Sequence, residues 1–110
     1  MRAYLIDEIP HSDMEKITDF LQKNAINSNL DQIFWVRIPE DLLSGAQFSH
    51  HECRPFAFAV ELGDDWVKLE FLIRSQPNIR CDCSGYCNAQ QMDFVIKFAH
   101  NMLDRLKIRT

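Results

Sequence analysis

Phe56-Ala57-Phe58-Ala59-Val60-Glu61-Leu62-Gly63-Asp64-Asp65-Trp66-Val67-Lys68-Leu69-Glu70-Phe71-Leu72-Ile73-Arg74 is the stretch that decides the fold. In its first half Phe56, Phe58, Val60 and Leu62 alternate with Ala57, Ala59 and Glu61. In its second half Val67, Leu69, Phe71 and Ile73 alternate with Trp66, Lys68, Glu70, Leu72 and Arg74. A period of two places alternate side chains on opposite faces of a strand. Gly63-Asp64-Asp65 between the two runs is turn chemistry. The spacing predicts an antiparallel hairpin with one apolar face, and a polar face of Glu61, Lys68, Glu70 and Arg74 turned to solvent or a partner.

Downstream of the hairpin, Ser-Gln-Pro-Asn turns the chain into Ile79–Cys83, read as a short edge strand broken by Ser84 and Gly85. Asn88 and Gln91 stand three apart as a capping box, and Met92, Val95, Ile96, Ala99, Met102, Leu103 and Leu106 then recur at helical spacing. A helix over about Ala89 to Lys107 follows. The basic residues Arg105, Lys107 and Arg109 complement its carbonyl end.

Upstream, Asp31–Ile38 has Phe34, Val36 and Ile38 on one face and Ile33 and Trp35 on the other, which predicts a strand apolar on both sides. Pro39 closes it and opens one helical turn through Leu43. Ser44–Glu52 is polar and reads as a loop. Arg2–Asp7 alternates as a short strand ended by Pro10. Ser12 and Glu15 match a capping box ahead of Met14, Ile17, Leu21 and Ala25, predicting a helix over about Asp13 to Ala25.

Two amphipathic helices and a set of half-apolar strands pack most economically as a single α+β domain over residues 1–110. The expected architecture is a mainly antiparallel sheet of four or five strands with both long helices on one face. The first strand–helix–strand unit is expected to pair its strands in parallel. Ile17, Leu21, Phe58, Val60, Leu69, Phe71, Val95, Ile96 and Leu103 are the expected core.

The chain has 110 residues, a net charge of -4, 46% hydrophobic and 25% charged residues, which is enough for one core and globular in balance. An acidic chain lacks the basic excess that neutralises phosphates, so nucleic acid is not an expected partner. Charged residues interrupt every apolar run, which argues against a membrane span, and Asp7-Glu8 comes too early for a signal peptide. The expected address is cytoplasmic, where cysteines are free thiols or metal ligands rather than disulfides.

Cysteine carries the chemistry. Cys81, Cys83 and Cys87 fall within Asn78–Asn88, and Cys53 directly follows His50-His51-Glu52. In an extended chain Cys81 and Cys83 share a face, able to chelate an ion or form a reducible disulfide. Cys87, ahead of a helix, sits where an N-terminus lowers a thiol pKa. Cys53, Cys81, Cys83 and Cys87, with His50 or His51, offer the sulfur and imidazole that tetrahedral zinc prefers. The spacing is not that of common zinc knuckles. Two further readings stand beside zinc: thiols simply buried as small hydrophobes, and a thiol redox protein.

No complete catalytic or cofactor motif is present, and three glycines form no phosphate loop. The paired acids Asp7-Glu8, Glu40-Asp41 and Asp64-Asp65 read as turn and cap chemistry. His11 and His100 have no dyad partner in sequence. Trp35, Ile33, Trp66 and Leu72, on the second strand faces, suggest either a non-enzymatic interaction module, whether a homo-oligomer or the binder of another protein, or a face covered by the loop Ser44–Glu52.

Cys53-Arg54-Pro55, Val-Glu-Leu-Gly, Leu-Glu-Phe-Leu-Ile-Arg and Ile-Arg-Cys-Asp-Cys together resemble a family of small uncharacterised bacterial proteins. The resemblance covers the C-terminal two-thirds of the chain. It implies a bacterial, stand-alone protein and assigns no functional residue.

Overall fold

The computed structural model describes every residue except Asn29 and Ile79. The chain runs β1 (Ala3–Ile6), α1 (His11–Asn24), β2 (Ile26–Asn27), β3 (Ile33–Arg37), a 3-10 turn (Glu40–Leu42), α2 (Gly45–Ser49), a second 3-10 turn (His51–Cys53), β4 (Phe56–Leu62), β5 (Val67–Glu70), β6 (Leu72–Ser75), β7 (Gly85–Tyr86) and α3 (Ala89–Leu106). The α+β class and the antiparallel sheet are as expected. Among the described residues the sheet has seven short strands rather than four or five, ordered β1-β5-β4-β3-β2, with β6 against β4 and β7 against β6.

β4 spans the residues its alternation marks out, and every strand pairing among the described residues is antiparallel. The expected parallel unit around α1 is therefore corrected: β1 pairs with β5, at the far side of the sheet from β2 and β3. α1 carries the chain across the sheet rather than back to a neighbouring strand.

The second hairpin arm is not one strand. Val60 faces Leu69, whereas Ala57 faces Arg74, so Phe58 and Ala59 are opposed by Glu70, Phe71, Leu72 and Ile73. The arm bulges at Phe71. Its N–H donates to the Arg2 carbonyl (2.9–3.0 Å being ordinary for such bonds), and its carbonyl accepts from the Cys87 N–H at 2.8 Å. Phe71 thus hands the arm over from β1 to the segment after β7. A shift by an even number of residues leaves each side chain on its own face. Val67, Leu69, Phe71 and Ile73 all stay buried.

Both long helices cover that apolar face. Met14, Ile17 and Leu21 of α1 and Val95, Ala99 and Met102 of α3 join Phe34, Val36, Phe58, Val60 and Leu69 in one buried cluster. Phe58 meets Phe94 and Phe98 edge-on, at centroid separations of 6.4 and 5.9 Å, an arrangement aromatic quadrupoles favour. Of the expected core, Ile96 and Leu103 lie at its margin and the others are buried. On the opposite face Lys68 pairs with Glu61 at 3.0 Å and Arg74 with Glu70 at 3.5 Å. Ile33, Trp35, Trp66 and Leu72 are each half-buried, forming neither an open patch nor a covered one. Trp66 lies across Gly63, whose missing Cβ leaves room for the indole.

Helix starts divide by their caps. At α3, Asn88 Oδ1 accepts from Gln91 N and Gln91 Oε1 accepts from Asn88 N, a complete capping box as expected. At α1 the Ser12–Glu15 box does not form. Pro10 is the N-cap without a side-chain bond, and Ser12 lies inside the helix. Proline already presets the helical entry one residue before His11, which moves the start upstream of the serine. Glu15 turns instead to His11, 3.4 Å away in solvent.

Ser44–Glu52 is not the expected loop. Ser44 and Gln47 form a second complete capping box, opening α2, and the 3-10 turn follows directly. Cys81–Ser84 is likewise not an edge strand. It is a turn, with Ser84 N donating to the Cys81 carbonyl at 3.2 Å. The expected first strand residue, Ile79, lies outside the described residues. Gly85, expected with Ser84 to break a strand, instead forms β7 with Tyr86 by pairing with Ile73 and Leu72.

Candidate metal centre

Two turns meet at the end of the sheet where β4 begins and β6 ends. In the first, the Cys53 N–H donates to the His50 carbonyl at 3.0 Å. A 3-10 turn eclipses residues three apart, so the His50 ring and the Cys53 sulfur point the same way. In the second, the reversal at Cys81–Ser84 turns Cys81 and Cys83 toward that pair.

Buried Ser75, at the end of β6, clamps the turns together. Its hydroxyl donates to the Cys53 carbonyl and accepts from Asn78 N at 3.1 Å, and its N–H donates to Ser84 Oγ at 3.2 Å. One side chain therefore holds both the loop before β4 and the loop after β6.

The result is a compact group: one ligand atom from each of His50, Cys53, Cys81 and Cys83, all within 4.8 Å of one another. Cys81 is at its centre. Its sulfur lies 3.1 Å from Cys53 Sγ, 2.7 Å from Cys83 Sγ and 3.5 Å from His50 Nδ1. Cys53 and Cys83 are buried, while Cys81 and His50 are partly exposed. All four cysteines of the chain are free thiols. A tetrahedral zinc with bonds of about 2.3 Å sets its sulfurs roughly 3.8 Å apart. The group is tighter than that and would widen around an ion.

The three thiols share one charge. Cys53 and Cys83 donate their S–H groups to Cys81. Hydrogen bonds from the Cys83 thiol and backbone and from the Cys53 thiol lower Cys81 to about 7. Burial, then the hydrogen bonds to its neighbours, pushes Cys83 up to about 12. Donation to Cys81, with burial behind it, raises Cys53. The first proton therefore leaves from Cys81, and its negative charge is solvated by the other two thiols.

Two of the expected ligands stand apart. Cys87 is engaged through its backbone with Phe71, and burial raises its thiol to about 11. This corrects the expectation of a thiol lowered by the helix N-terminus: withdrawal from water outweighs the dipole. His51 packs edge-on against Phe48 at 6.1 Å. His100, without a partner in sequence, shares a 2.7 Å hydrogen bond with Tyr4 Oη.

Cys81 and Cys83 are neighbours as expected, but not as alternate residues on one face of a strand. They meet because the chain turns, not because it extends. The capping box at Ser44 was the signal in sequence that the segment carrying His50 is ordered. No known protein family, curated protein or solved structure matches the chain. No helix among the described residues is long and apolar enough to cross a membrane.

Proposed function

We propose that His50, Cys53, Cys81 and Cys83 bind one zinc ion, and that the ion's role is structural. The observation that carries this reading is the convergence of four ligand atoms within 4.8 Å from two loops that are distant in sequence. One imidazole and three sulfurs form a donor set that closed tetrahedral zinc sites use. Four protein ligands leave no position for a substrate water, which favours a structural ion over a hydrolytic one. The ion ties the turn before β4 to the turn after β6, two segments that otherwise hold one another through Ser75. In a reducing compartment, the address expected from sequence, the thiols stay available to the metal.

Metal analysis of protein purified without an affinity tag, with thiols counted before and after chelation, tests the reading. The expected result is one zinc per chain, three thiols protected until the chelator is added, and a lower melting temperature after removal. Four freely titrating thiols with no bound metal would leave the cluster as buried sulfur alone.

A further inference from the structure

We propose that the same cluster is also a two-electron thiol switch, in which a peroxide oxidises Cys81 and Cys83 to a disulfide and thereby dismantles the metal site. The inference concerns regulation of the site proposed above, but the chemistry stands on the sulfur geometry alone. Cys81 is the partly exposed thiol of the three, while Cys53 and Cys83 are buried. A small hydrophilic oxidant therefore reaches Cys81 first. Cys81 is also the sulfur in contact with both others, and Cys83 is the nearer, 2.7 Å against 3.1 Å for Cys53. Cys87 lies outside the group and cannot compete as the second sulfur.

The chemistry balances with hydrogen peroxide as the oxidant. The Cys81 sulfur attacks one peroxide oxygen: an S–O bond forms, the O–O bond breaks, and the second oxygen leaves as water with the thiol proton. The Cys83 sulfur then attacks the sulfur of this sulfenic acid. An S–S bond forms, the S–O bond breaks, and the hydroxyl departs as water with the Cys83 proton. Each sulfur loses one electron, and the peroxide gains two. Two of the four ligands are consumed, leaving His50 and Cys53, too few for a closed tetrahedral site.

The test treats tag-free protein with equimolar hydrogen peroxide, both as purified and after chelation, followed by alkylation and tryptic mapping. Cleavage after Arg80 and Lys97 places Cys81, Cys83 and Cys87 in one peptide and Cys53 in another. The expected product has lost two hydrogens within the 81–97 peptide, with Cys87 and Cys53 alkylated, and a thiol reductant reverses it. Metal-containing protein is expected to release one zinc per disulfide. With both neighbouring thiols removed, Cys53→Ser with Cys83→Ser should stop at a sulfenic acid on Cys81 that dimedone traps, a readout independent of whether the variant still binds metal. A disulfide joining the two peptides, a link through Cys87, or four thiols surviving in the chelated protein would each overturn the proposal. Absence of zinc in the purified protein would remove the structural-metal reading and leave the chelated-protein result to decide the switch.

Discussion

Gln91 Nε2 donates to Gln47 Oε1 across 2.9 Å, joining the glutamines of two capping boxes 44 residues apart. Both side chains are buried. Gln91 Nε2 also donates to the Leu42 carbonyl, and Gln47 Oε1 also accepts from Ser44 N. The polar groups that start α2 and α3 thus satisfy one another in the interior, and α2 leads directly into His50, its C-cap. The start of the last helix positions the first half of the metal centre.

Gln91→Leu keeps the volume but leaves the Leu42 carbonyl and the Asn88 N–H without partners. A fully buried group left unpaired costs roughly 1–3 kcal/mol; these two are only part-buried, so urea denaturation should show a combined loss of about 2–3 kcal/mol. Pairing it with Gln47→Leu should recover about 1 kcal/mol of the summed cost, because the two side chains are in contact. Strict additivity in that cycle would show that the glutamines act separately.

Ser75→Ala should weaken metal retention without touching a ligand. The substitution frees the Cys53 carbonyl and the Asn78 N–H, loosening the turns on both sides. Outer hydrogen bonds of this kind are worth about 10–100-fold in metal affinity. Competition against a chromophoric chelator should reveal a loss in that range, while Thr18→Ala, on α1, leaves affinity unchanged.

Metal-free protein should show one fast thiol at neutral pH. The reactive form is the thiolate, and Cys81 is held near 7 by the thiols and backbone that donate to it. Its alkylation rate should rise as pH increases through about 7 and level off above. Cys87 and Cys83, raised to about 11 and about 12, should stay slow throughout that range. Equal rates for all four thiols at pH 7 would contradict the shared-charge arrangement.

Gly63→Ala should disturb Trp66. An added Cβ would fall within the indole ring, which lies across the turn between β4 and β5. Overpacking of this kind costs about 1–3 kcal/mol. The expected signature is a red-shifted tryptophan emission together with the lower denaturation midpoint.

Alternation and helical periodicity alone determined α1, α3, β3 and β4, along with most of the core. Each of these buries one repeating face, so the pattern of side chains is itself the instruction. Asn88–Gln91 was equally legible, because a capping box is closed by residues three apart. What local pattern could not convey was partnership. At the Phe71 bulge the arm bonds Arg2 through its N–H and the Cys87 segment through its carbonyl, and neither is a neighbour in sequence. The turn at Cys81–Ser84 has an alternating look that its tertiary bonds to Ser75 override. The ligand set was named from residue chemistry, but the choice of His50 over His51, and the separation of Cys87, came from the 3-10 turn and from Phe71. A metal site is a meeting of side chains from distant segments, and only the packed sheet end decides which of them meet.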